Sequence, residues 1–458
     1  MDPLAEALTA ILACPRSDGT VEVSDGALFC AASNTRYPII DGVPWLFAEP
    51  DIALAEWRHR FRHADAMLAS EISALTSARD NDGISALTTQ RLDALRAGKA
   101  MQRASIADIL APLATGASAD LRATYLALRT RLPPDQGLNT YTPNIVRDWA
   151  DWGSAENAAS LQMITDVLDG VSPAKVLVLG AGAGRLAHDI NVALAPTLCV
   201  ALDFNPLLML LAARLGSGAS QTFVEFPLAP KTLADHAITH ELKAPTTPAT
   251  PTYWVLGDAL RAPFQAGTFD LVVTPWLTDI IAEPPAAFAP RINRLLTDGG
   301  RWVNFGSIAF RDPDPTLAIG REELSEQIES AGFRLDGDLE RDLPYLASPA
   351  SRHRRTETVA ALRFSKTAPV QVVPRWRALP DWIVIGKSPV PASDEFLQQA
   401  AATRIHAFIM ALIDGRRSLK EMASIMEQRQ LMPAADAEEA IRGFLIKMYD
   451  DARRYAGF

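Results

Sequence analysis

The stretch that decides the fold is KVLVLGAGAGRLAHDI, residues 175–190. KVLVL reads as a strand buried on both faces, because nearly every position is apolar. Gly180, Gly182 and Gly184 then allow a sharp turn and let a ligand approach the backbone, since no Cβ stands in the way. RLAHDI opens a helix. Downstream, TLCVALDF (197–204) reads as a second strand ending at Asp203. That acid lies about 20 residues beyond the loop, where a carboxylate can hold both hydroxyls of a ribose.

Working outward, YWVLGDALRAPF (253–264) ends a third strand at Gly257-Asp258, with Ala259 and Leu260 following. FDLVVTPWLTDII (269–281) is a fourth strand with a polar end, and LLTDGGRWVNFGS (295–307) is a helix end, a glycine turn and a fifth strand. Asp203, Asp258, Thr274 and Asp279 all fall at strand carboxyl ends, where open α/β sheets bind ligands. A purely structural strand–turn–helix stays open as the alternative. Dinucleotide-binding loops place the third glycine one position later, where this chain has Arg185. G-x-G-x-G followed by an acidic strand end instead resembles S-adenosylmethionine-dependent methyltransferases. That resemblance implies an α/β, Rossmann-like class I methyltransferase sheet of seven mostly parallel strands. It further implies S-adenosylmethionine as cofactor, held by Gly180, Ala181, Gly182, Gly184, Arg185, Asp203, Phe204, Asn205, Asp258, Ala259, Leu260 and Thr274.

Finer details narrow the likeness. RDWADWG (147–153) precedes the glycine loop, and DFNPLLMLLAARL (203–215), VVTPWLTD and GGRWVNFG follow it in order. Over roughly 140–366 the chain resembles the carnosine N-methyltransferase family, in which an R-D-W segment contributes to the cofactor lid; Arg147 takes that place here. The resemblance implies methyl transfer to an imidazole nitrogen of a histidine-containing dipeptide. Two departures point to a different substrate. The family's D-T-A-H-N segment reads Asp279-Ile280-Ile281-Ala282-Glu283, without its histidine. Of the family's tyrosine cluster, Tyr345 matches one member, while Arg354 and Arg355 occupy the following segment. Methyl transfer from a sulfonium is an in-line displacement, which needs alignment more than acid–base work. A neutral imidazole is a competent nucleophile near pH 7 given the right tautomer. Asp258, Asp279 and Tyr345 are the candidates for orienting the acceptor. Thr274-Pro275-Trp276-Leu277 is similar to the D/N-P-P-Y corner of amide and amino N-methyltransferases, so another acceptor nitrogen stays open.

The remaining chain divides around this region. Its 458 residues suggest about three domains. Residues 1–48 read as a small β domain, 51–138 as a helical segment, 139–367 as the methyltransferase domain and 368–458 as a mostly helical domain. LPPDQG (132–137) marks the boundary before the third. ILACPRSDG and ALFCAASNTRYPIIDGVPWL resemble the zinc ribbons fused to bacterial methyltransferases, but only Cys14 and Cys30 remain, with Ser17 and Ser33 at the partner positions. Two thiolates cannot close a four-ligand zinc site, so no metal is expected. ATRIHAFIMALIDGRRSLKEMASIM (402–426) resembles winged-helix peptide-recognition domains, which would grip a peptide by strand addition; a helical lid or dimerisation element competes with that reading. His59/His63 and His236/His240 have helical metal-site spacing but no third ligand nearby. The HRR run at 353–355 either clamps an anion or is a solvated hairpin.

The net charge of −10, from 54 acidic and 44 basic residues, argues against a nucleic-acid partner. Three cysteines suit a reducing compartment, the first residues are acidic where a signal peptide is basic, and no apolar run reaches about 18 residues. A cytoplasmic protein with a peptide or protein substrate is therefore expected, with no membrane partner and no reading of oligomeric state. A catalytically idle methyltransferase fold acting as a binding scaffold is the alternative from another class.

Overall fold

The computed structural model describes residues 6–113, 138–281, 283–310, 315–372, 387 and 389–455. They form two units, Met1–Pro374 and Arg375–Phe458.

The first unit begins with helix α1 (Glu6–Thr9) and strands β1 (Glu22–Ser24), β2 (Ala27–Cys30), β3 (Thr35–Ile40) and β4 (Val43–Leu46). Helices α2 (Pro50–Arg79), α3 (Ala86–Ile109), α4 (Thr142–Trp149) and α5 (Ser154–Leu168) follow. The alternating region then runs β5 (Lys175–Leu179), α6 (Arg185–Leu194), β6 (Leu198–Asp203), α7 (Pro206–Gly216), β7 (Gln221–Glu225), β8 (Ile238–Leu242) and β9 (Thr252–Gly257). It closes with β10 (Phe269–Pro275), α8 (Pro285–Leu295), β11 (Leu296–Gly306), α9 (Arg321–Glu329), β12 (Phe333–Tyr345) and β13 (Arg355–Lys366).

Eleven strands make one sheet in the order β1-β2-β3-β4-β9-β6-β5-β10-β11-β13-β12. The strands β9, β6, β5, β10 and β11 pair in parallel, and β13 runs antiparallel between β11 and β12. This is the Rossmann-like, mostly parallel sheet expected from the glycine loop. All six residues of β6 are buried, as are Val176 to Leu179 of β5, which is why both read as continuous apolar runs. The strand order reverses at β5: the chain moves outward to β6 and β9, then returns to β10. A topological switch point therefore opens at the carboxyl ends of β5 and β10.

Two sequence expectations need correction. The seven strands expected, β9-β6-β5-β10-β11-β13-β12, are extended by four more, because residues 1–48 do not stand apart as a β domain. Trp45 pairs with Leu256 and Leu46 with Gly257, so β4 adds in parallel to β9. Without it β9 would be an edge strand with unpaired backbone groups. The cores merge as well: Leu12, Leu28, Tyr37 and Leu46 pack in one cluster with Val255, Phe264, Phe269 and Trp302. Second, His236 ends a single 3-10 turn and His240 lies in β8, so they do not share a helix. The alternation of ITHEL, paired against β7, overrides the i, i+4 spacing. His59 and His63 do share α2. The LPPDQG boundary lies outside the described residues.

The second unit packs α10 (Asp394–Leu412), α11 (Leu419–Gln428) and α12 (Ala434–Tyr455) around Ile409, Leu412, Met422, Met426 and Ile441. The DGRRSLKE turn forms because Asp414 accepts the Arg416 and Arg417 N–H groups, and Ser418 with Glu421 closes a capping box on α11. Among its described residues the unit has no strand, so the strand addition expected of a peptide-recognition domain has no edge there. The unit begins at Arg375, later than the boundary at 368 expected from sequence. Among the described residues, no helix is long and apolar enough to cross a membrane.

The four ribbon positions converge in space. Cys14 Sγ is 3.2 Å from Ser33 Oγ and 3.0 Å from Tyr37 OH, and Ser17 Oγ is 3.5 Å from Cys30 Sγ. Burial raises the Cys30 pKa, but hydrogen bonds from Ser17 and Ser33 outweigh it and bring the thiol down to about 7. Hydrogen bonds thus fill a volume suited to four thiolates around zinc, whose sulfurs would stand about 3.8 Å apart for Zn–S bonds of about 2.3 Å. The double variant Ser17→Cys/Ser33→Cys is expected to carry one zinc per chain with a raised Tm. Metal analysis and thermal unfolding with and without chelator check this.

Candidate active site

The glycine loop is held by the end of β6. Gly180 and Ala181 donate their N–H groups to Leu202 O at 2.9 and 3.1 Å, and Gly182 N donates to Asp203 Oδ2 at 2.9 Å. Asp203 Oδ1 accepts from Asn205 N at 2.9 Å, and Asn205 in turn caps α7 through Leu207 N. Burial pushes the Asp203 carboxyl up to about 6, against the opposing pull of these backbone amides. Each oxygen keeps a lone pair beyond those amides, so the group still accepts from a diol.

The three glycines differ in what they admit. A Cβ on Gly184 would meet Ala212 and Trp254 at 2.7 Å, so this glycine serves close packing of α6. A Cβ on Gly180 would meet Leu277 Cδ1 at 2.8 Å. Only at Gly182, with φ +58°, is the Cβ position open. The ligand-facing gap of the loop is therefore at Gly182.

Three residues expected to touch the cofactor are committed elsewhere. Arg185 is buried, donating to both Asp189 oxygens and to Asp148 O. Arg147 donates to Asp148 at 2.5 Å and to Glu156 at 2.8 Å. Burial would lower the Arg147 pKa, but the two carboxylates outweigh it and hold it above the ordinary value. A buried guanidinium must be paired, which takes both arginines inward. Thr274 is fully buried; its hydroxyl accepts from Trp302 Nε1 at 2.9 Å and donates to Asn304. Trp149 braces the loop instead of covering a ligand: its indole N–H donates to Ala183 O at 2.8 Å.

On the other flank, Asp258 is exposed and accepts from Leu260 N, capping the turn Ala259–Arg261. Phe204, next to Asp203, is 42% exposed, an apolar face available to a flat ring. Three strand spacings separate β9 from β10, roughly 14 Å at about 4.8 Å each, so Asp258 does not join Asp279 and Tyr345.

Those two sit near β10. Trp276 follows the strand with φ +51°, a strained conformation for a bulky residue, and its ring is 5.1 Å from that of Tyr345. Tyr345 OH accepts from Asn144 Nδ2 at 3.5 Å. Arg355 stacks over the Tyr345 ring at 4.2 Å and Arg147 lies 5.8 Å from it. The Asp279 carboxylate accepts from Ala309 N at 2.9 Å and lines a small pocket with Leu277, Thr278, Ile308 and Phe310. Sequence reasoning missed Tyr141 and Asn144. Burial first, then the nearby Asp203 and Tyr345, pushes Tyr141 up to about 12. Tyr141, Asn144 and Arg147 recur every three residues, and that periodicity before the RDW segment was the available signal.

No protein-family model matches the chain, and no curated protein matches it. Solved structures do. A methyltransferase from Bacillus halodurans is 14% identical, with 46% of this chain and 100% of that one covered, at a TM-score of 0.33. An S-adenosylmethionine-dependent methyltransferase from Methanosarcina mazei is 13% identical, with 42% and 92% covered, at 0.30. The N-methyltransferase NodS from Bradyrhizobium japonicum, in complex with S-adenosyl-L-homocysteine, is 13% identical, with 54% and 99% covered, at 0.33. At such identities and scores they assign no activity to this chain.

The two loop glycines give opposite expectations. Gly184→Ala should cost about 2–4 kcal/mol, from overpacking against Trp254 plus a left-handed φ. Gly182→Ala, with space for its Cβ, should cost only the conformational penalty of about 1–2 kcal/mol. Urea unfolding of both variants checks the difference.

Proposed function

We propose that this chain is an S-adenosylmethionine-dependent N-methyltransferase acting on a nitrogen of a peptide or protein, a histidine imidazole first. The observation that carries the cofactor half is the buried Asp203 carboxylate, locked against Gly182 N at a switch point of this sheet. Its donor set fits a ribose diol, because the two backbone amides leave outward lone pairs on both oxygens. Phe204 and the Asp258–Leu260 turn flank the place for a purine, and Gly182 leaves room for the amino-acid end. When bound, the cofactor supplies an electrophilic methyl group on a sulfonium.

The chain's own work is alignment and exclusion of water. Tyr345, held between Arg355 and Trp276 and bonded by Asn144, offers a fixed ring and hydroxyl to an acceptor. Asp279, fixed by Ala309 N, offers a carboxylate to take the acceptor's proton or to hold its N–H. The likeness of residues 402–426 to peptide-recognition domains supports a peptide as the substrate. A second reading, an idle fold used as a scaffold, draws on Leu277 lying against Gly180 and on Thr274 turned into the core.

Calorimetric titration with S-adenosylhomocysteine separates the two: the enzyme binds it, the scaffold does not at millimolar ligand. Ribose hydroxyls bond the ionised carboxylate, so binding lowers the Asp203 pKa and releases a proton. Affinity should therefore climb toward tenfold per unit as pH rises to about 6 and level off above it. Asp203→Asn should weaken binding about ten- to a hundredfold, the worth of hydrogen bonds to a charged group. Mass spectrometry after incubation with S-adenosylmethionine and histidine peptides or carnosine should locate one added methyl on nitrogen.

A further inference from the structure

We propose that Arg355 is the receptor for a carboxylate on the methyl acceptor, so that the substrate is an acidic peptide; this rests on the methyltransferase reading above. Arg355 opens β13 and pairs in register with Tyr345, the last residue of β12. Its guanidinium lies 4.2 Å over the Tyr345 ring, and its Nε forms an ion pair with Glu357 at 2.5 Å. Those two contacts fix the plane of the group while using only one of its nitrogens. Nη1 and Nη2 have no partner among the described residues. A planar guanidinium held in this way presents its end as a fork, the geometry that takes a carboxylate in two parallel hydrogen bonds.

The place of the fork links it to the chemistry. Tyr345 also packs against Trp276, with ring centroids 5.1 Å apart, and Trp276 directly follows the strand whose end faces the glycine loop. Tyr345 thus touches both the fork and the ring that follows β10. The charge around it has the right sign. Lys231, Arg352, His353 and Arg354 are exposed beside it, joined by the Pro230–Ser351 bridge and by Arg352 donating to Lys231 O at 3.1 Å. Lys231 also donates to Pro349 O. Carbonyl partners leave these charges uncancelled, and among the described residues no carboxylate pairs with Lys231, Arg352 or Arg354. Glu357 offsets Arg355 alone. On a chain of net charge −10 this is a local positive field over the site, which draws an anion and repels a cation.

The test uses full-length protein saturated with S-adenosylhomocysteine and fluorescent peptides, each with one histidine, one lysine and a free N-terminus. They differ only at the flanking positions, which are glutamate, glutamine, lysine or phosphoserine. The glutamate peptide should bind about tenfold tighter than the glutamine peptide and tighter still than the lysine peptide, by anisotropy. Arg355→Gln and Arg355→Lys should both erase that preference, the second because a lysine keeps the charge and loses the fork. Their Tm and S-adenosylhomocysteine affinity should match the parent, which excludes a collapsed site. Equal binding of the glutamate, glutamine and lysine peptides, or a preference surviving in both variants, overturns the proposal. So does tighter binding of the phosphoserine peptide. Repeating the titrations without S-adenosylhomocysteine keeps the two ideas apart. If the homocysteine ligand never binds yet the glutamate preference depends on Arg355, the methyltransferase reading falls and the carboxylate receptor stands.

Discussion

The hydrogen bond from Gly182 N to the Asp203 carboxylate, 2.9 Å long, is the interaction on which the site depends. It closes a set of three loop amides that all end on residues 202 and 203. With those amides satisfied, the chain can leave β5, reverse over the end of β6 and start α6 with these three N–H groups paired. The cost is a buried carboxylate, visible in its raised pKa. Burial of a charge without full solvation is destabilising unless donors replace the water. Two backbone amides do part of that, and the outward lone pairs are where a diol would do the rest.

Around this point the structure spends its arginines on architecture. Arg185 is buried, Arg147 is half-buried and both are paired, and between them they join α4, α5 and α6 behind the loop. Glu156 takes Arg147 on one side and the Leu346 N–H on the other, so the same pair fixes the start of the loop after Tyr345. The ring of Tyr345 is therefore placed by a buried ion pair from behind and by Arg355 from the solvent side. Guanidinium groups serve in both places, but only the exposed one keeps donors to give.

The sheet also shows how an edge is managed. The strand β9 carries Leu256 and Gly257 into the same row as Trp45 and Leu46, and the N-terminal strands continue it. At the opposite edge β12 alternates exposed and half-buried positions rich in charge, Asp338, Glu340 and Asp342 among them. Charged residues on an edge discourage pairing with another chain. One edge is thus closed by added strands and the other by charge.

The sequence by itself determined the sheet and the position of the glycine loop. Strands buried on both faces need unbroken apolar runs, and a left-handed turn needs glycine, so both leave marks at fixed spacing. Asp203 was legible for the same reason, standing at the end of such a run. The convergence of Cys14, Ser17, Cys30 and Ser33 followed from the resemblance to zinc ribbons, whose ligand positions these four residues occupy. What only the tertiary structure decided is which side chains remain available. Arg147, Arg185 and Thr274 carry donors that suit a ligand, yet partners outside their own elements, Glu156, the Asp148 carbonyl and Asn304, consume them. Asp258 has the right chemistry for an acceptor, but strand order sets it on the far flank. The merging of residues 1–48 into the sheet was hidden likewise, since edge pairing runs through backbone groups that every residue carries. Patterns local in the chain report conformation and burial; the spending of hydrogen-bond capacity is settled by contacts that no local pattern encodes.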